Sequence, residues 1–334
     1  MGALRLPMTT RALSIGNEVD VSAARGIVRE VASHARICTN ASESLAIIVS
    51  ELATNQLRYA SLGRIQVREM VRDGIPGLEI EATDQGPGIA DPTRAFAGDS
   101  HNGRTLGIGL AGVRRLALEL DVDIRVGEGT RILARLFDKP VRRRLTVTIV
   151  GRPHPAERTS GDAAGFWRGD GSLRLVLSDG LGHGPSAREA SESALAAAGR
   201  DHGSAPEHVL IACDAALRAS RGAVLAIVHL DERGHLDAAS VGNIEGGVCH
   251  DRRATRIPAQ TGVVGGAWPR ENVRSTRLAM PPGAVLLLAT DGAKDPLAEC
   301  GVVENAGLPP WALAQHILEM HSRPTDDAMV VVVK

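Results

Sequence analysis

The chain has 334 residues, enough for about two domains, and its formal net charge is −1. That charge excludes a nucleic-acid binder that depends on bulk positive charge. Hydrophobic residues make up 43% and aromatic residues 2%, so the core has to be built from Ala, Val, Leu and Ile. No apolar run reaches the roughly 20 residues of a membrane span, and the N-terminus lacks the apolar stretch of a signal peptide. We therefore expect a cytoplasmic protein with no nucleic-acid or membrane partner.

The first part of the chain predicts a mixed α/β (α+β) domain. Asp20 or Ser22 is expected to cap a first helix, and Ser42 to begin a second. Alternating apolar residues on both sides of a Gly- and Pro-containing turn predict a hairpin. The strands are predicted at 64–71, 78–83, 123–126 and 131–137, a loop at 91–105, and a further helix at 106–120.

Residues 139–144 form the best domain boundary, because this segment is short, charged and interrupted by Pro140. We interpret it as a solvated linker between a domain at 1–138 and a second domain at 145–334. Strand patterns dominate the second domain. Its strands are predicted at 145–150, 173–178, 223–230, 235–241, 284–290 and 327–333, and its helices at 185–198, 206–219 and 310–321.

The four cysteines, Cys38, Cys213, Cys249 and Cys300, are far apart and form no CxxC pair. No histidine lies at the spacing of a zinc site. We therefore expect four reduced thiols, with neither a disulfide nor a structural zinc.

Polar residues with the chemistry of a nucleotide site occur in the first domain. Glu51 and Asn55 are four residues apart on a predicted helix, so both side chains project from one face. A carboxylate can act as a general base, and an amide oxygen can ligate Mg²⁺. Asp84 ends a strand and can accept a hydrogen bond from an exocyclic amine. Gly107 and Gly109 precede a helix, whose free N–H groups would bind phosphate.

Together with the turn at 127–130, these segments resemble the GHKL (Bergerat) ATP-binding fold over about 15–137, and more narrowly the RsbT-type serine kinases of bacterial stressosomes. The resemblance implies an α/β two-layer sandwich that binds ATP with Mg²⁺. It implies that Asn55 binds the Mg²⁺, that Glu51 is the catalytic base, and that Asp84 contacts adenine with Thr130 near the same ring. The residues that would line the nucleotide are Gly86, Gly88, Gly107, Gly109 and Leu110.

Aspartates recur at strand ends or turns in the second domain, as Gly161-Asp162, Asp179-Gly180, Asp291-Gly292 and Asp326-Asp327. A single Asp-Gly pair is usually a turn. Four aspartate-containing pairs in order over a β-rich domain are better explained as carboxylates that hold two hard cations, which activate a water for attack on phosphorus.

These segments resemble the PPM-type phosphatases of the SpoIIE family, and within them the RsbX type. The resemblance implies an αββα sandwich with two Mn²⁺ or Mg²⁺ ions. Asp179 would bridge both ions and Gly180 would supply a carbonyl ligand. Asp162, Asp291 and Asp326 would complete the set, with Asp179 and Asp291 at the centre of catalysis.

Two neighbouring residues are not assigned as ligands. His183 is interpreted either as a capping or supporting residue or as a packing residue of its Gly-rich turn, and Asn243 lies close to the site in sequence pattern only. Asp162 departs from the family pattern because Ala163 and Ala164 follow it, where many members carry hydroxylated or aromatic residues.

The leading hypothesis is a kinase and phosphatase in one chain, which phosphorylates Ser or Thr of STAS-domain proteins and reverses that reaction. The alternative is a sequestering anti-sigma module, in which the first domain binds ATP and a sigma factor and only the phosphatase is catalytic. A pseudoenzyme is disfavoured by the complete set of site residues. The sequence leaves open whether the chain forms a homodimer.

Overall fold

The structure of the protein is a computed structural model that describes residues 8–60, 62–98, 109–169, 171–200, 203–300 and 307–334. The chain divides into two compact units, Met1–Thr146 and Val147–Lys334, which we call the N-terminal and C-terminal units. Across the described ranges, no helix combines the length and the apolar character needed to cross a bilayer.

In the N-terminal unit the described strands form an antiparallel sheet with helices packed on it. The strands are β1 (Thr10–Ile15), β2 (Gly63–Arg72), β3 (Ile75–Asp84), β4 (Glu119–Arg125) and β5 (Gly129–Phe137). The helices are α1 (Glu18–His34), α2 (Thr39–Tyr59), α3 (Pro92–Ala97) and α4 (Gly109–Leu116). The strand order is β1-β2-β3-β5-β4, and α1 and α2 contact the sheet directly. This is the α/β two-layer sandwich that the sequence predicts.

Helix α1 begins after Asn17, whose side chain accepts a hydrogen bond from the backbone N–H of Asp20. The Asp20 carboxylate in turn accepts from the backbone N–H of Asn17 at 3.0 Å, which completes a capping box. The predicted cap at Asp20 or Ser22 is therefore wrong, because Asp20 already lies within the first turn. Val28 and Val31 form part of the buried face of this helix.

Gln56 ties helix α2 to the sheet. It is buried, and its Nε2 donates to the carbonyl oxygens of Arg64 at 3.1 Å and Thr83 at 3.0 Å, on β2 and β3. The helix begins at Thr39, earlier than the predicted start at Ser42. The tether fixes the height of α2 over the sheet, and with it the candidate site residues on that helix.

The helix predicted at 106–120 is shorter than expected at its C-terminal end. Helix α4 ends at Leu116, and β4 begins at Glu119, so Leu120 is a buried strand residue. The Glu119 carboxylate forms a buried ion pair with Arg72 of β2, which favours an extended segment here over another helical turn.

A buried ion network connects the strands of this sheet. Nε of Arg135 donates to Oε2 of Glu79 at 2.6 Å, and its Nη1 donates to Oδ2 of Asp121 at 2.6 Å. Arg72 and Glu119 form a second pair beside it. Removing one partner of such a network leaves a buried charge without compensation, at a cost of about 3–5 kcal/mol.

The predicted linker, residues 139–144, is attached to the N-terminal unit rather than fully solvated. The carbonyl oxygen of Arg142 accepts from Nη1 of Arg72 at 3.1 Å, and the backbone N–H of Arg144 donates to Oε1 of Glu119 at 2.7 Å. Backbone hydrogen bonds therefore hold the run of arginines against the N-terminal unit.

The C-terminal unit contains two sheets and three long helices among its described residues. Its strands are β6 (Val147–Arg152), β7 (Asp162–Gly169), β8 (Ser172–Gly180), β9 (Ala223–Asp231), β10 (His235–Val241), β11 (Glu245–His250), β12 (Arg253–Arg256), β13 (Ala259–Gln260), β14 (Thr276–Ala279), β15 (Val285–Ala289) and β16 (Ala328–Val333). Its helices are α5 (Pro185–Ala198), α6 (Pro206–Leu217) and α7 (Pro310–His321).

These elements form four layers. One sheet has the order β6-β16-β15-β11-β12, and the other has the order β13-β10-β9-β8-β7 with β14 beside β10. Helices α5 and α6 cover the second sheet through a core that includes Leu210 and Ile227. Helix α7 covers the first sheet through Leu313, Ile317 and Val330. The predicted αββα sandwich is confirmed.

The cysteine expectation is wrong for one pair. Cys249 on β11 and Cys300 are joined by a disulfide, with their Cα atoms 5.3 Å apart. Cys38 is exposed and Cys213 is buried, and both are free thiols. The residues of β11 show no strand pattern in the sequence, so no predicted element places Cys249 near Cys300.

Candidate functional sites

The structure brings Glu51 of α2 to the first residue of α4. Oε2 of Glu51 accepts a hydrogen bond of 2.9 Å from the backbone N–H of Gly109, which has a positive φ of 65°. Asn55 lies one helical turn further along α2 and is partly buried. A carboxylate at a helix N-terminus is electrostatically favourable, so Glu51 occupies an anion-binding position in this structure.

Asp84 lies at the end of β3, as predicted, and its Oδ1 accepts from the backbone N–H of Gly86 at 2.9 Å. Burial raises the pKa of Asp84, and hydrogen bonds from the backbone of Gly86 and Thr130 oppose that rise. Thr130 is the partner of Asp84 in the β3–β5 register and is buried. The structure therefore brings Asp84 and Thr130 together.

Gly88 occupies a position that requires glycine. Its φ is 71°, and a Cβ there would lie 2.6 Å from the carbonyl oxygen of Arg125. Leu110 is partly buried in the first turn of α4. Gly107, also predicted to line phosphate, lies outside the described residues. An acceptor such as Asp84 and an amide–carboxylate pair on α2 fit a nucleotide with Mg²⁺.

A pocket of about 570 Å³ lies in the C-terminal unit, and its wall includes Asp179, Asp291 and Asp326. Asp179 is the second-to-last residue of strand β8, whereas Asp291 follows β15 and Asp326 precedes β16. Because β15 and β16 pair antiparallel, with Ala289 opposite Val330, the end of one and the start of the other meet at one edge. The pairing of β15 with β16 thus brings Asp291 and Asp326 together, and Asp179 from the other sheet lines the same pocket.

The carboxylates raise one another's pKa values. Burial, followed by the charges of Asp291, Asp326 and Asp327, raises the pKa of Asp179 from 3.8 to about 7. Burial and then Asp326 raise the pKa of Asp291. Hard divalent cations would relieve this repulsion, and oxygen is the ligand that they prefer. Among the described residues, no three His, Cys, Asp or Glu side chains are already spaced as a metal cluster.

Asp162 lies behind the pocket wall. It is buried opposite Asp179 in the β7–β8 register, and its Oδ2 accepts from Oγ1 of Thr290 at 2.7 Å. Burial, followed by the charge of Asp179, raises the pKa of Asp162 well above its ordinary value. The carboxylate is therefore close to the pocket without lining it.

Gly180 is sterically obligatory. A Cβ at this position would lie 2.0 Å from the carbonyl oxygen of Ala187 in α5, so no larger residue can be accommodated. Its backbone N–H also donates to the carbonyl oxygen of Gly161 at 3.3 Å. These contacts fix the backbone next to Asp179, where the carbonyl ligand is expected.

Several residues that sequence reasoning left aside contact the site. Nδ2 of Asn243 donates to Oδ2 of Asp291 at 2.7 Å, and both residues line the pocket. His183 also lines it, with Nδ1 2.8 Å from Oε1 of Glu157 and its ring stacked on that of His154 at 5.0 Å. The signal for Asn243 was its place just after a strand, as with the aspartates.

Asp326 and Asp327 are neighbours with different environments. Asp326 faces the pocket, whereas Asp327 is buried and accepts from the backbone N–H groups of His154 at 2.6 Å and Gly161 at 3.0 Å. Asp327 therefore fixes the loop that leads into β7.

Comparison with known proteins identifies the N-terminal unit. Residues 16–136 match the model of the histidine kinase-like ATPase domain. The serine/threonine-protein kinase RsbT of Bacillus subtilis (strain 168) is 38% identical over 120 residues, which are 36% of this chain and 90% of RsbT. Through this unit, the chain belongs to the RsbT family of histidine kinase-like ATPases. The resemblance inferred from sequence is confirmed.

The C-terminal unit of this RsbT-family protein matches a second family. Residues 169–334 match the model of Stage II sporulation protein E (SpoIIE). A solved structure connected with the bacterial stressosome, described as a modular system adapted to control secondary messenger signalling, is 29% identical. It covers 57% of this chain and 100% of its own, with a TM-score of 0.55. RsbX in complex with magnesium is 18% identical, covers 58% of this chain and 96% of its own, and has the same fold at a TM-score of 0.51.

Proposed function

We propose that this protein both phosphorylates a Ser or Thr residue of STAS-domain partner proteins and removes that phosphate, within a bacterial partner-switching pathway. The observation that carries the proposal is the union, in one chain, of a unit 38% identical to a serine/threonine kinase with a unit that has an acidic pocket on a SpoIIE-type fold. The two reactions are chemically opposite, so their union indicates control of a phosphorylation level.

In the kinase reaction, Glu51 acts as the base that accepts the proton of the attacking hydroxyl, and Asn55 would hold Mg²⁺. Asp84 accepts from the adenine amine, with Thr130 beside it. Backbone groups of two further segments are proposed to line the nucleotide, at Gly86, Gly88, Gly107, Gly109 and Leu110. The hydrogen bond from the Gly109 N–H to Oε2 orients Glu51 and leaves other lone pairs of its carboxylate to accept a proton.

In the phosphatase reaction, Mn²⁺ or Mg²⁺ ions, when bound, would supply the activation of a water for attack on phosphorus. Asp179 and the carbonyl oxygen of Gly180 would help to hold these ions. Asp291, which follows β15, and Asp326, which precedes β16, would also hold the ions, and Asp162, buried beside Asp179, would complete the proposed set. The raised pKa values of Asp179 and Asp291 support this role, because bound cations would offset the mutual repulsion that raises them.

A STAS-domain protein is the proposed substrate because this chain resembles the RsbT-type kinases, which act on STAS-domain partners. Phosphate adds a charge of about −1.5 to −2, which is enough to make or break a protein interface. Joining the two activities raises the effective concentration of each around the other's product. One activity has to be gated, since both together would consume ATP without net change.

The test is phosphoryl transfer from radiolabelled ATP to a candidate STAS-domain protein. We would use the Asp291→Asn variant, because its phosphatase pocket cannot erase the product. Label is expected on Ser or Thr of the partner, and none is expected when Glu51→Gln is added in the same background. Wild-type protein with Mn²⁺ should then remove the label.

Two results would contradict the proposal. A variant that binds ATP yet transfers no label, together with a co-purifying sigma factor, would favour a sequestering anti-sigma module with only the phosphatase active. If wild-type protein with Mn²⁺ did not remove the label from the partner, only the kinase half of the proposal would stand.

A further inference from the structure

A cationic side chain, Arg323, lies beside the acidic pocket, close to two of the carboxylates in its wall. Nη1 of Arg323 lies 3.9 Å from Oδ2 of Asp291 and 3.8 Å from Oδ2 of Asp326. Arg323 follows helix α7, in the short segment that leads to Asp326 and β16. Its guanidinium thus stands between two of the carboxylates that line the pocket.

The backbone of Arg323 is fixed on both sides. Its N–H donates to the carbonyl oxygen of Gly292 at 2.7 Å, and its carbonyl oxygen accepts from Nη2 of Arg152 at 2.6 Å. Nη1 of Arg152 also donates to the carbonyl oxygen of Asp326 at 3.0 Å. These bonds hold the Cα of Arg323 in place relative to Gly292, which follows Asp291, and relative to Asp326.

The side chain, in contrast, is not locked to its partners. Both guanidinium–carboxylate distances exceed the 2.7–3.2 Å of an N–H···O hydrogen bond, so the attraction is that of a shared charge rather than of a bidentate pair. The side chain is 43% exposed, so it faces solvent as well as the carboxylates. A guanidinium presents five donors in a planar fork, which matches the oxygens of phosphate.

We propose that Arg323 binds the phosphoryl group of the substrate, and that it exchanges its contacts with Asp291 and Asp326 for the phosphate when divalent cations bind those carboxylates. This proposal rests on the phosphatase half of the proposed function. Cations on Asp291 and Asp326 would repel the guanidinium, whose Nη1 lies 3.9 and 3.8 Å from those carboxylates, and would supply positive charge in its place. The phosphate of the substrate, bound next to those cations, is then the nearest negative partner for Arg323.

The exchange predicts opposite effects on two ligands of the same pocket. Without the guanidinium, the carboxylates lose a competing positive charge, so Mn²⁺ should bind more tightly. Phosphate loses a charge-assisted bidentate partner, so it should bind more weakly. An arginine that only stabilises the local structure would, when removed, weaken the binding of both.

The experiment compares Arg323→Ala and Arg323→Lys with wild-type full-length protein by calorimetry. Mn²⁺ binding is measured without nucleotide. The heat that is absent in the Asp291→Asn variant is the part that comes from Mn²⁺ binding at the acidic pocket. Inorganic phosphate binding is then measured with Mn²⁺ in excess. Arg277→Ala is the matched control, because Arg277 is 75% exposed and pairs with Asp237, outside the pocket wall.

For Arg323→Ala we expect a Kd for phosphate about tenfold or more above wild type and a Kd for Mn²⁺ several-fold below it. Arg323→Lys keeps the charge without the fork, so its Kd for phosphate should fall between the two, and Arg277→Ala should match wild type. In hydrolysis of an aryl phosphate, Arg323→Ala should raise KM more than it lowers kcat.

A phosphate Kd for Arg323→Ala within twofold of wild type would overturn the proposal, as would weaker binding of both ligands. Failure of the proposed phosphatase activity would be visible separately, because wild-type protein would then bind Mn²⁺ and phosphate without hydrolysing the ester.

Discussion

The side-chain amide of Asn243 donates a 2.7 Å hydrogen bond to Oδ2 of Asp291, and it is one of the influences that lower the pKa of Asp291 against the effect of burial. The bond leaves Asp291 oriented and more easily ionised. It links β10 of one sheet to the end of β15 in the other. Asn243 is therefore a positioning residue for the pocket.

We expect Asn243→Ala to weaken Mn²⁺ binding, and to weaken it more at pH 6 than at pH 8. The lost donor raises the pKa of Asp291, so protons compete better with the cation at the lower pH. Calorimetric titration at both pH values measures this. Asn272→Ala is the control, since Asn272 is exposed in the same unit; an equal deficit at both pH values would leave only an orienting role.

The pH dependence of stability follows from Asp179. Its pKa is raised from 3.8 to about 7, so the folded protein binds more protons than the unfolded chain in that window. The free energy of unfolding should therefore fall as pH rises from about 4 to 7 in the presence of chelator. Asp162 and Asp291 shift in the same direction and add to the effect.

All three tryptophans, Trp167, Trp268 and Trp311, belong to the C-terminal unit, so their fluorescence reports its unfolding. We expect the Tm to be lower at pH 8 than at pH 5.5 by roughly a few degrees. Excess Mn²⁺ should reverse the trend, and Asp179→Asn should flatten it. A chelated protein that becomes more stable over this range would contradict the assignment.

Thr290 is the next position where a small change should have a large effect. Its hydroxyl donates to Asp162 at 2.7 Å and accepts from the backbone N–H of Met329 at 2.9 Å, all in the interior. Thr290→Val keeps the shape but leaves both groups unsatisfied, which should cost about 1–3 kcal/mol. Urea unfolding followed by tryptophan fluorescence measures it. Thr290→Ser keeps the hydroxyl and should cost less; equal losses would show that the methyl group matters instead.

The thiols can be counted directly. In the native protein without reductant we expect one reactive thiol, Cys38, because Cys213 is buried and the other two cysteines are bonded. Denaturation should add Cys213, and reduction should add Cys249 and Cys300. All four reacting in denaturant without reductant would mean that the disulfide is absent in solution.

Asp84 should control nucleotide binding without affecting the phosphatase. Asp84→Asn removes the charge of the acceptor, and we expect the affinity for ATP to fall about tenfold. Fluorescent nucleotide titration measures this, with hydrolysis of an aryl phosphate as the unaffected activity. Asp73→Asn, in the exposed β2–β3 turn, is the matched control; an unchanged affinity in Asp84→Asn would remove Asp84 from the site.

The layers of both units followed from local patterns. Alternation gave the β2–β3 hairpin, and Asp84 stands at its end as predicted. The sequence also predicted that Asp179, Asp291 and Asp326 would lie close together. Each is next to the end of a predicted strand, and their order along the chain matches that of the family they resemble.

What the sequence did not disclose depends on contacts between distant segments. The start of β4 at Glu119 is favoured by the ion pair with Arg72, which comes from a non-adjacent strand of the same sheet. The pairing of Cys249 with Cys300 requires β11, whose glycines gave no alternating pattern. Arg323 is one arginine in a charged turn until its distances to two carboxylates are known.

The continuity of the chain through residues 139–146 has a consequence for cellular control. A kinase and a phosphatase in one polypeptide are always present in equal amounts, whatever the level of expression. At steady state the phosphorylated fraction of the substrate then depends on the ratio of two turnover rates, and the protein's own concentration cancels. Under the proposed function, fluctuations in gene expression would change how fast the partner's state responds, and leave the state itself unchanged.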